Sequence, residues 1–410
     1  MDSMGLVVQK YGGSSVADIE KIKRVASRIV KRKQAGDQVI AVVSAMGDTT
    51  DELIELAHGI TDHPPRREYD MLLSTGEQVS ASLLAMAVRE FEEEAVSLTG
   101  SQVGIITDDL HSKAQIREVK LKRLKEELEQ KKIAIVAGFQ GITDDNEITT
   151  LGRGGSDTTA VAIAASLEAD VCEIYTDVDG VYTTDPSVVE TARKLRSISY
   201  EEMLELARLG ADVLHPRSVE IANKYNVKLA VKSSFCCLPG TYIEGVDKLE
   251  KTNVVSGVTC NKEEVEVTLI GVPDEPGVAA KIFDKLGQGA INVDMIIQDL
   301  KYNDLNDITF TINRSDLKEA KDKLSELEGE LDYKRIVANT EVAKISIVGA
   351  GMATNPGVAA KMFSALGKAG INIQMISTSE IKISCLIAQK RAEEAAKAIH
   401  DEFELENLSD

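Results

Sequence analysis

The sequence predicts an α/β fold, a mainly parallel sheet sandwiched by helices, followed by two α+β modules of βαββα order. Three features carry this expectation. Strand-sized runs rich in Val, Ile and Ala recur, and each leads into a polar loop and then a helical stretch. Those runs are apolar on both faces, as buried parallel strands are. Two C-terminal segments repeat at an offset of 80 residues: Pro276-Gly277-Val278-Ala279-Ala280-Lys281 matches Pro356-Gly357-Val358-Ala359-Ala360-Lys361, and Ile291-Asn292 matches Ile371-Asn372.

In chain order, Leu6-Val7-Val8 is the first strand and ends in Lys10-Tyr11-Gly12-Gly13-Ser14-Ser15. Ile19, Ile22, Val25, Ala26, Ile29 and Val30 then fall at helical spacing. Val39–Val43 is a buried strand leading through Ser44–Thr50 to a helix over Asp51–His58. Ser74-Thr75-Gly76-Glu77 opens a helix that runs to Val88, and Arg117–Lys132 reads as one solvated helix. Ile133–Ala137, Val171–Tyr175 and Val227–Val231 supply further strands. The polar loops lie at strand carboxyl ends, where sheets of this kind bind ligands. Glu244–Asn253 is polar and marks a boundary. Each later repeat reads as a strand (Val265–Val272, Ala343–Gly349), a helix, two β-rich runs ending in Asp307–Ile312 or Ile381–Ala388, and a charged helix (Asp316–Glu328, Arg391–Phe403). The expected domains are residues 1–245, 262–335 and 340–408, with room for the last two to interleave strands.

Composition narrows the function classes. The 47 Lys+Arg against 67 Asp+Glu leave a net charge of −20, which argues against a general nucleic-acid or anionic-membrane binder. Val39–Met46 is about the longest apolar run and is far short of a membrane span. Met1–Lys10 has no secretory-leader pattern. The 5 cysteines are scattered without a CxxC pair, so a reduced, cytoplasmic protein with no chain-held metal site is expected.

Four loops carry chemistry. Lys10 with Gly12, Gly13 and Ser14 sets a point charge beside glycines that let backbone approach a phosphate, though Walker A spacing is absent. Gly152-Arg153-Gly154-Gly155-Ser156-Asp157 places a guanidinium suited to a carboxylate or phosphate among glycines, with a helix behind; an alternative is that Ser156, Asp157 or Thr158 only caps that helix. Thr176-Asp177-Val178-Asp179-Gly180-Val181-Tyr182, continuing to Asp185, is a strand end rich in carboxylates and hydroxyls, and also fits an ordinary turn pair. Glu77 is a lone acid in a small, apolar stretch, fitting either an ammonium partner or a first-turn acid.

Taken together, Lys10-Tyr11-Gly12-Gly13-Ser14-Ser15, Val43-Ser44-Ala45-Met46, Ser74-Thr75-Gly76-Glu77, Leu151-Gly152-Arg153-Gly154-Gly155-Ser156-Asp157, Thr176–Tyr182 and both Pro-Gly-Val-Ala-Ala-Lys repeats resemble the aspartokinases, amino acid kinase family members with tandem ACT regulatory domains. The resemblance implies a monofunctional aspartate kinase: ATP, with Mg2+, phosphorylates the side-chain carboxylate of L-aspartate, the first step toward lysine, threonine and methionine. It implies that Lys10 stabilises the transferring phosphoryl group and Asp157 orients Lys10. Gly12, Gly13 and Ser14 would serve the phosphates, and Thr176, Asp177, Tyr182 and Asp185 the nucleotide. Arg153 would clamp the aspartate α-carboxylate and Glu77 its ammonium, with Ser44, Thr50 and Ser156 adding hydrogen bonds. Such a reaction needs positioning and electrostatics, with no general base, since the acceptor is already a carboxylate. Lysine, threonine or both would bind the ACT modules at Asp274, Gly277, Val278, Ala279, Asn292, Val293 and Asp294, and at Asn355, Gly357, Val358, Ala359, Asn372, Ile373, Gln374, Thr378 and Glu380. The resemblance also implies a homodimer or larger assembly through ACT domains, with an internally started regulatory subunit as an option. Lys232 is placed at the site rim, and His215 receives no role. The competing readings are another amino acid kinase acting on acetylglutamate or glutamate, and an amino-acid sensor without catalysis.

Overall fold

A computed structural model describes residues 5–211, 213–245, 253–300 and 305–408. The chain forms two compact units. The first runs to Val181 and resumes at Lys194; the second takes Tyr182–Arg193 together with the C-terminal part.

In the first unit the strands are β1 (Leu6–Tyr11), β2 (Gln38–Val43), β3 (Ala95–Leu98), β4 (Ile105–Thr107), β5 (Ile116–Val119), β6 (Ile133–Ala137), β7 (Gln140–Ile142), β8 (Ile148–Thr150), β9 (Val171–Thr176), β10 (Ser197–Ile198), β11 (Leu229–Ser233) and β12 (Thr241–Ile243). The main sheet has the order β10-β12-β11-β9-β1-β2-β6-β3. Its pairs are parallel except β11 with β12. A smaller sheet has the order β5-β4-β7-β8, two antiparallel hairpins joined by a parallel β4–β7 pair. The helices are α1 (Ile19–Gln34), α2 (Thr49–Ile60), α3 (Arg66–Leu73), α4 (Thr75–Arg89), α5 (Gly100–Val103), α6 (Lys122–Glu129), α7 (Gly155–Leu167), α8 (Tyr200–Arg208) and α9 (Pro216–Tyr225).

Helix α1 starts because Asp18 accepts the Lys21 backbone N–H at 2.8 Å, and its Ile22, Val25, Ala26, Ile29 and Val30 stripe joins the core under β1, β2 and α4. The expected helix over Arg117–Lys132 is corrected: residues 116–119 form β5, paired antiparallel with β4, and the helix begins only at Lys122. Backbone pairing with β4 overrides the helical look of the charged residues there.

Helices α3 and α4 follow one another over Arg66–Arg89, a stretch long and apolar enough, by length and composition, to cross a bilayer. It is not a continuous apolar run, because Ser74, Thr75, Glu77, Gln78, Ser80 and Ser82 break it. Half of it is buried within the unit. Ala81, Leu84, Ala85, Ala87 and Val88 pack into the core, as a core helix does.

The second unit contains β13 (Gly257–Asn261), β14 (Glu264–Pro273), α10 (Val278–Gln288), β15 (Val293–Leu300), β16 (Leu305–Asn313), α11 (Leu317–Ser325), β17 (Arg335–Asn339), β18 (Val342–Val348), α12 (Val358–Lys368), β19 (Ile373–Thr378), β20 (Lys382–Ala388) and α13 (Ala392–Glu402). Two antiparallel sheets result, β15-β16-β14-β17 and β13-β18-β20-β19, each with its own apolar core. Strand β13 precedes the first repeat yet pairs with β18 of the second, Gly257 opposite Val348. The sequence reading had not recognised β13 or β17 as strands.

The two repeats are close copies locally. Gly277 and Gly357 precede α10 and α12 with φ of +94° and +93°, a region that suits glycine. Behind them Val278 and Val358 are buried, Ala279 is exposed and Ala359 half-buried. Asn292, Val293 and Asp294 show the same exposed, intermediate, exposed order as Asn372, Ile373 and Gln374. Asp274 accepts a hydrogen bond from Asn306 Nδ2 at 2.8 Å, and Asn355 Nδ2 donates to the Gly351 carbonyl at 2.8 Å. Thr378 and Glu380 are exposed at the end of β19. The chemistry differs at equivalent positions such as Glu264 and Lys344, and Asp294 and Gln374. The Lys344 ammonium is buried, bonded to Glu264 and, at 2.5 Å, to Asp294.

Candidate active site

The carboxyl ends of β1, β2, β6 and β9 lie side by side, which sets four loops along one sheet edge. Residues alternate across β1: Gln9 and Tyr11 share a face with their register partners Glu173 and Tyr175, so Lys10 lies on the other. There Lys10 Nζ meets Asp157 Oδ1 at 2.6 Å, with the two side chains 12% and 10% exposed. The contact is ionic and not an aligned hydrogen bond, because Asp157 Oδ1 has no hydrogen-bond partner. This pair joins the glycine loop after β1 to the glycine loop before α7.

The first loop is held tightly. The Gly12 N–H donates to the Tyr175 carbonyl at 3.1 Å, and the Gly47 N–H donates to the Gly13 carbonyl at 3.1 Å. A Cβ on Gly13 would stand 3.0 Å from the Ala45 carbonyl oxygen, so a side chain there would press on the loop after β2, against which this loop nests. Ser14 is exposed beyond it. Ser44 is half-buried; its N–H donates to the Tyr11 carbonyl and its own carbonyl accepts from Ser80 Oγ at 2.7 Å. Thr50 is half-buried in the first turn of α2.

In the second loop, Gly154 is the residue before α7, with φ of +66°, and no side chain caps the helix. The capping alternative for Ser156, Asp157 and Thr158 is therefore overturned: all three lie inside the helix and are buried. A Cβ on Gly154 would come within 2.2 Å of His215, so the His215 ring fills that side of the loop. Ser156 Oγ lies close under Gly138 at the end of β6, where an added Cβ would meet it at 2.8 Å. The Arg153 side chain is exposed and forms no ion pair with a described residue.

Glu77 sits in the first turn of α4 and is only 3% exposed. Its Oε1 accepts the Ala45 N–H at 3.2 Å, while its Oε2 is buried without a partner. Burial pushes its carboxyl pKa up to about 8, against smaller lowering by backbone hydrogen bonds. A buried acid with a vacant oxygen beside a glycine-rich edge is suited to meet a ligand cation.

Thr176 and Asp177 end β9, where the Thr176 hydroxyl donates to Asp177 Oδ1 at 2.9 Å and the Thr176 carbonyl accepts the Ser234 N–H. Tyr182 and Asp185 are grouped with the second unit instead. There Asp185 Oδ1 accepts from the Ser187 N–H and hydroxyl, and Thr183 Oγ1 lies 2.9 Å from His400 Nε2. Lys232 is not free at a rim: it bonds Glu173 at 2.6 Å, on the sheet face opposite Lys10. Sequence reasoning also passed over His215, whose pKa burial lowers, with the Asp157 charge opposing. Among the described residues no three His, Cys, Asp or Glu side chains cluster as a metal site.

Comparison with known proteins agrees with this layout. The amino acid kinase family matches residues 5–233, and the ACT domain matches residues 267–327 and 345–403. An aspartokinase from Mycolicibacterium smegmatis is 50% identical over 407 residues, covering 98% of this chain and 97% of that protein. The chain is an aspartokinase-family member. Among solved aspartokinases, E. coli aspartokinase III in complex with aspartate and ADP is 25% identical, with a TM-score of 0.79 over 97% of this chain and 99% of the other. The same enzyme with lysine and aspartate gives a TM-score of 0.75 at 25% identity, again over 97% and 99%. As an aspartokinase-family kinase the chain pairs an amino acid kinase unit with ACT domains, and the alternative of a different amino acid kinase family falls away.

Proposed function

We propose that this chain transfers the terminal phosphoryl group of ATP to the side-chain carboxylate of L-aspartate, giving 4-phospho-L-aspartate and ADP. The observation that carries the reading is the Lys10–Asp157 pair at the junction of two glycine loops, with the vacant buried Glu77 on the same sheet edge. Lys10 neutralises charge on the transferring group, and Asp157 holds its ammonium in place until phosphate competes for it. Gly13 and Ser14 serve the phosphates with their backbone N–H groups, while Gly12, whose own N–H is taken by the Tyr175 carbonyl, lets the chain pass close to them, and Thr176 and Asp177 serve the nucleotide at the neighbouring strand end. Tyr182 and Asp185 are kept as nucleotide residues on the resemblance alone. Arg153 pairs with the α-carboxylate of aspartate and Glu77, as carboxylate, with its ammonium; Ser44, Thr50 and Ser156 complete the pocket.

ATP enters as its Mg2+ complex, and Mg2+ supplies charge neutralisation on the phosphate oxygens. The exposed Asp177 carboxylate at the end of β9 fits a cation carried in by the nucleotide. Lysine, threonine or both act as inhibitors at the repeated Pro-Gly-Val loops of the second unit, and that unit joins copies into a homodimer or larger assembly. E. coli aspartokinase III with lysine and aspartate supports the lysine part. We place the enzyme in the cytoplasm; its five cysteines are all unpaired.

The test is ADP release measured with aspartate, glutamate and acetylglutamate in turn. Turnover with aspartate alone, inhibited by lysine or threonine, is expected. Preference for either other acceptor overturns the substrate, and absence of any turnover by the wild-type chain overturns the enzyme reading.

A further inference from the structure

The Arg153 loop has a support that its own sequence does not reveal. Asp70, on α3, is completely buried. Its Oδ2 accepts the Thr150 N–H at 3.0 Å and the Ser112 N–H at 2.9 Å, and lies 2.9 Å from His111 Nδ1. Its Oδ1 accepts the Thr150 hydroxyl at 2.6 Å and the Ser112 hydroxyl at 3.2 Å. Both oxygens are thus saturated by donors from two separate segments. Thr150 is the last residue of β8, and the Leu151-Gly152-Arg153-Gly154 loop begins directly after it. On the far side of the loop, the Arg217 guanidinium donates to the Leu151 carbonyl at 2.9 Å and to the Ala114 carbonyl at 2.6 Å.

The same carboxylate is tied to the other end of the expected amino-acid clamp. Helix α3 ends and α4 begins at Ser74, a buried residue whose carbonyl accepts from Gln140 Nε2 at 2.8 Å. Glu77 follows in the first turn of α4. Asp70 and Glu77 therefore belong to one braced pair of helices. One acid anchors the strand end from which Arg153 departs, and the other faces the ligand. A saturated buried carboxylate is rigid, because any movement of the loop breaks charge-assisted hydrogen bonds in a low-dielectric setting.

We propose that Asp70 is the positioning residue of the amino-acid site: it fixes where Arg153 stands relative to Glu77, and so sets affinity for the amino-acid substrate without touching it. The proposal rests on the aspartate reading given above.

The experiment compares wild type, Asp70→Asn, Arg153→Ala and the double variant, with KM for aspartate and KM for ATP measured separately and folding followed by thermal unfolding. Asp70→Asn keeps shape but sets an amide N–H2 against donors, and is expected to raise KM for aspartate ~10-fold or more while KM for ATP stays within ~2-fold. In the Arg153→Ala background the same change is expected to add less than ~2-fold, because the two residues act through one interaction. Thr150→Val removes a single donor and serves if Asp70→Asn fails to fold; a several-fold rise confined to aspartate is expected. Equal rises in both KM values, or effects that multiply in the double variant, overturn the positioning role while leaving the aspartate reading intact. A wild-type chain that does not turn over aspartate overturns both.

Discussion

Two charged regions of the first unit handle burial in opposite ways. At the end of β1, Lys10 is nearly enclosed but has Asp157 at 2.6 Å. In the first turn of α4, Glu77 is enclosed more deeply and has only one backbone N–H on one oxygen and nothing on the other. The first region has its charge balance closed without a ligand. The second is left open and holds a proton instead. A phosphate entering the first must share Lys10 with Asp157, so binding there is an exchange of partners. An ammonium entering the second supplies a counter-charge that the protein lacks. The closed region suits a group whose charge changes during the reaction, and the open one suits recognition of a fixed charge.

The largest expected effect comes from breaking the closed region. Lys10→Ala should lower kcat ~10³-fold or more, since it removes the cation proposed to neutralise the transferring group, while KM for aspartate changes little. Aspartate-dependent ADP release measures both. A fall confined to KM would reverse the roles assigned to the two regions.

A closed pair in the second unit provides the control. Lys344 is 3% exposed and bonds the buried Glu264 and the half-open Asp294. Lys344→Met leaves Glu264 buried without its cation and should cost about 3–5 kcal/mol of stability, read by urea unfolding, whereas adding Glu264→Leu should restore most of it. Turnover without effector should survive in the double variant. If Lys344→Met instead leaves stability untouched, closure of a buried charge is not what these pairs provide.

Arg153→Ala probes the exposed arm of the open region. Its guanidinium makes no ion pair with a described residue, so the melting temperature should stay constant while KM for aspartate rises ~100-fold, the loss expected for a bidentate carboxylate contact. A change in stability with no change in KM would make Arg153 a structural residue.

Much of this contrast was visible in the sequence, and the reason it stopped where it did is physical. Strands such as Ile133–Ala137 were legible because every residue is apolar, the mark of a strand covered on both faces. Lys10, Asp157 and Glu77 stood out because each is a charge among small or apolar neighbours. The 116–119 strand was illegible because it is short, carries exposed Arg117 and Glu118, and owes its form to pairing with β4. Asp70 was hidden for the opposite reason to Glu77: it ends Arg66-Arg67-Glu68-Tyr69-Asp70, which reads as a solvated charged run. Only donors 41 to 80 residues away in sequence reveal that it is buried. Local pattern reports a lone charge well and a long-range partner not at all.

The sharpest test of the open region, with the smallest change for each step taken, depends on a proton. Glu77 titrates at about 8 in the ligand-free protein, against about 4.3 for an unstrained glutamate. At pH 7 it is therefore mostly neutral, and pairing with a substrate ammonium requires that it release the proton. Each pH unit below 8 should then weaken aspartate binding by ~10-fold, so KM for aspartate rises as pH falls from 8 to 6 and levels off above 8. The substrate's own ammonium and carboxylates do not titrate in that window. Folding shows the linked sign. Between about 4.3 and 8 the folded state holds a proton that the unfolded state has lost, so this group's contribution to stability is complete below the window and shrinks as pH rises through it. Glu77→Gln removes the proton and should flatten both slopes while keeping the hydrogen bond to Ala45. Its KM for aspartate should match that of the wild type most closely at low pH and diverge as pH climbs. A wild-type KM that is flat from pH 6 to 8 would mean that Glu77 is already ionised and balanced by a charge in the free enzyme, which would erase the difference between the two regions.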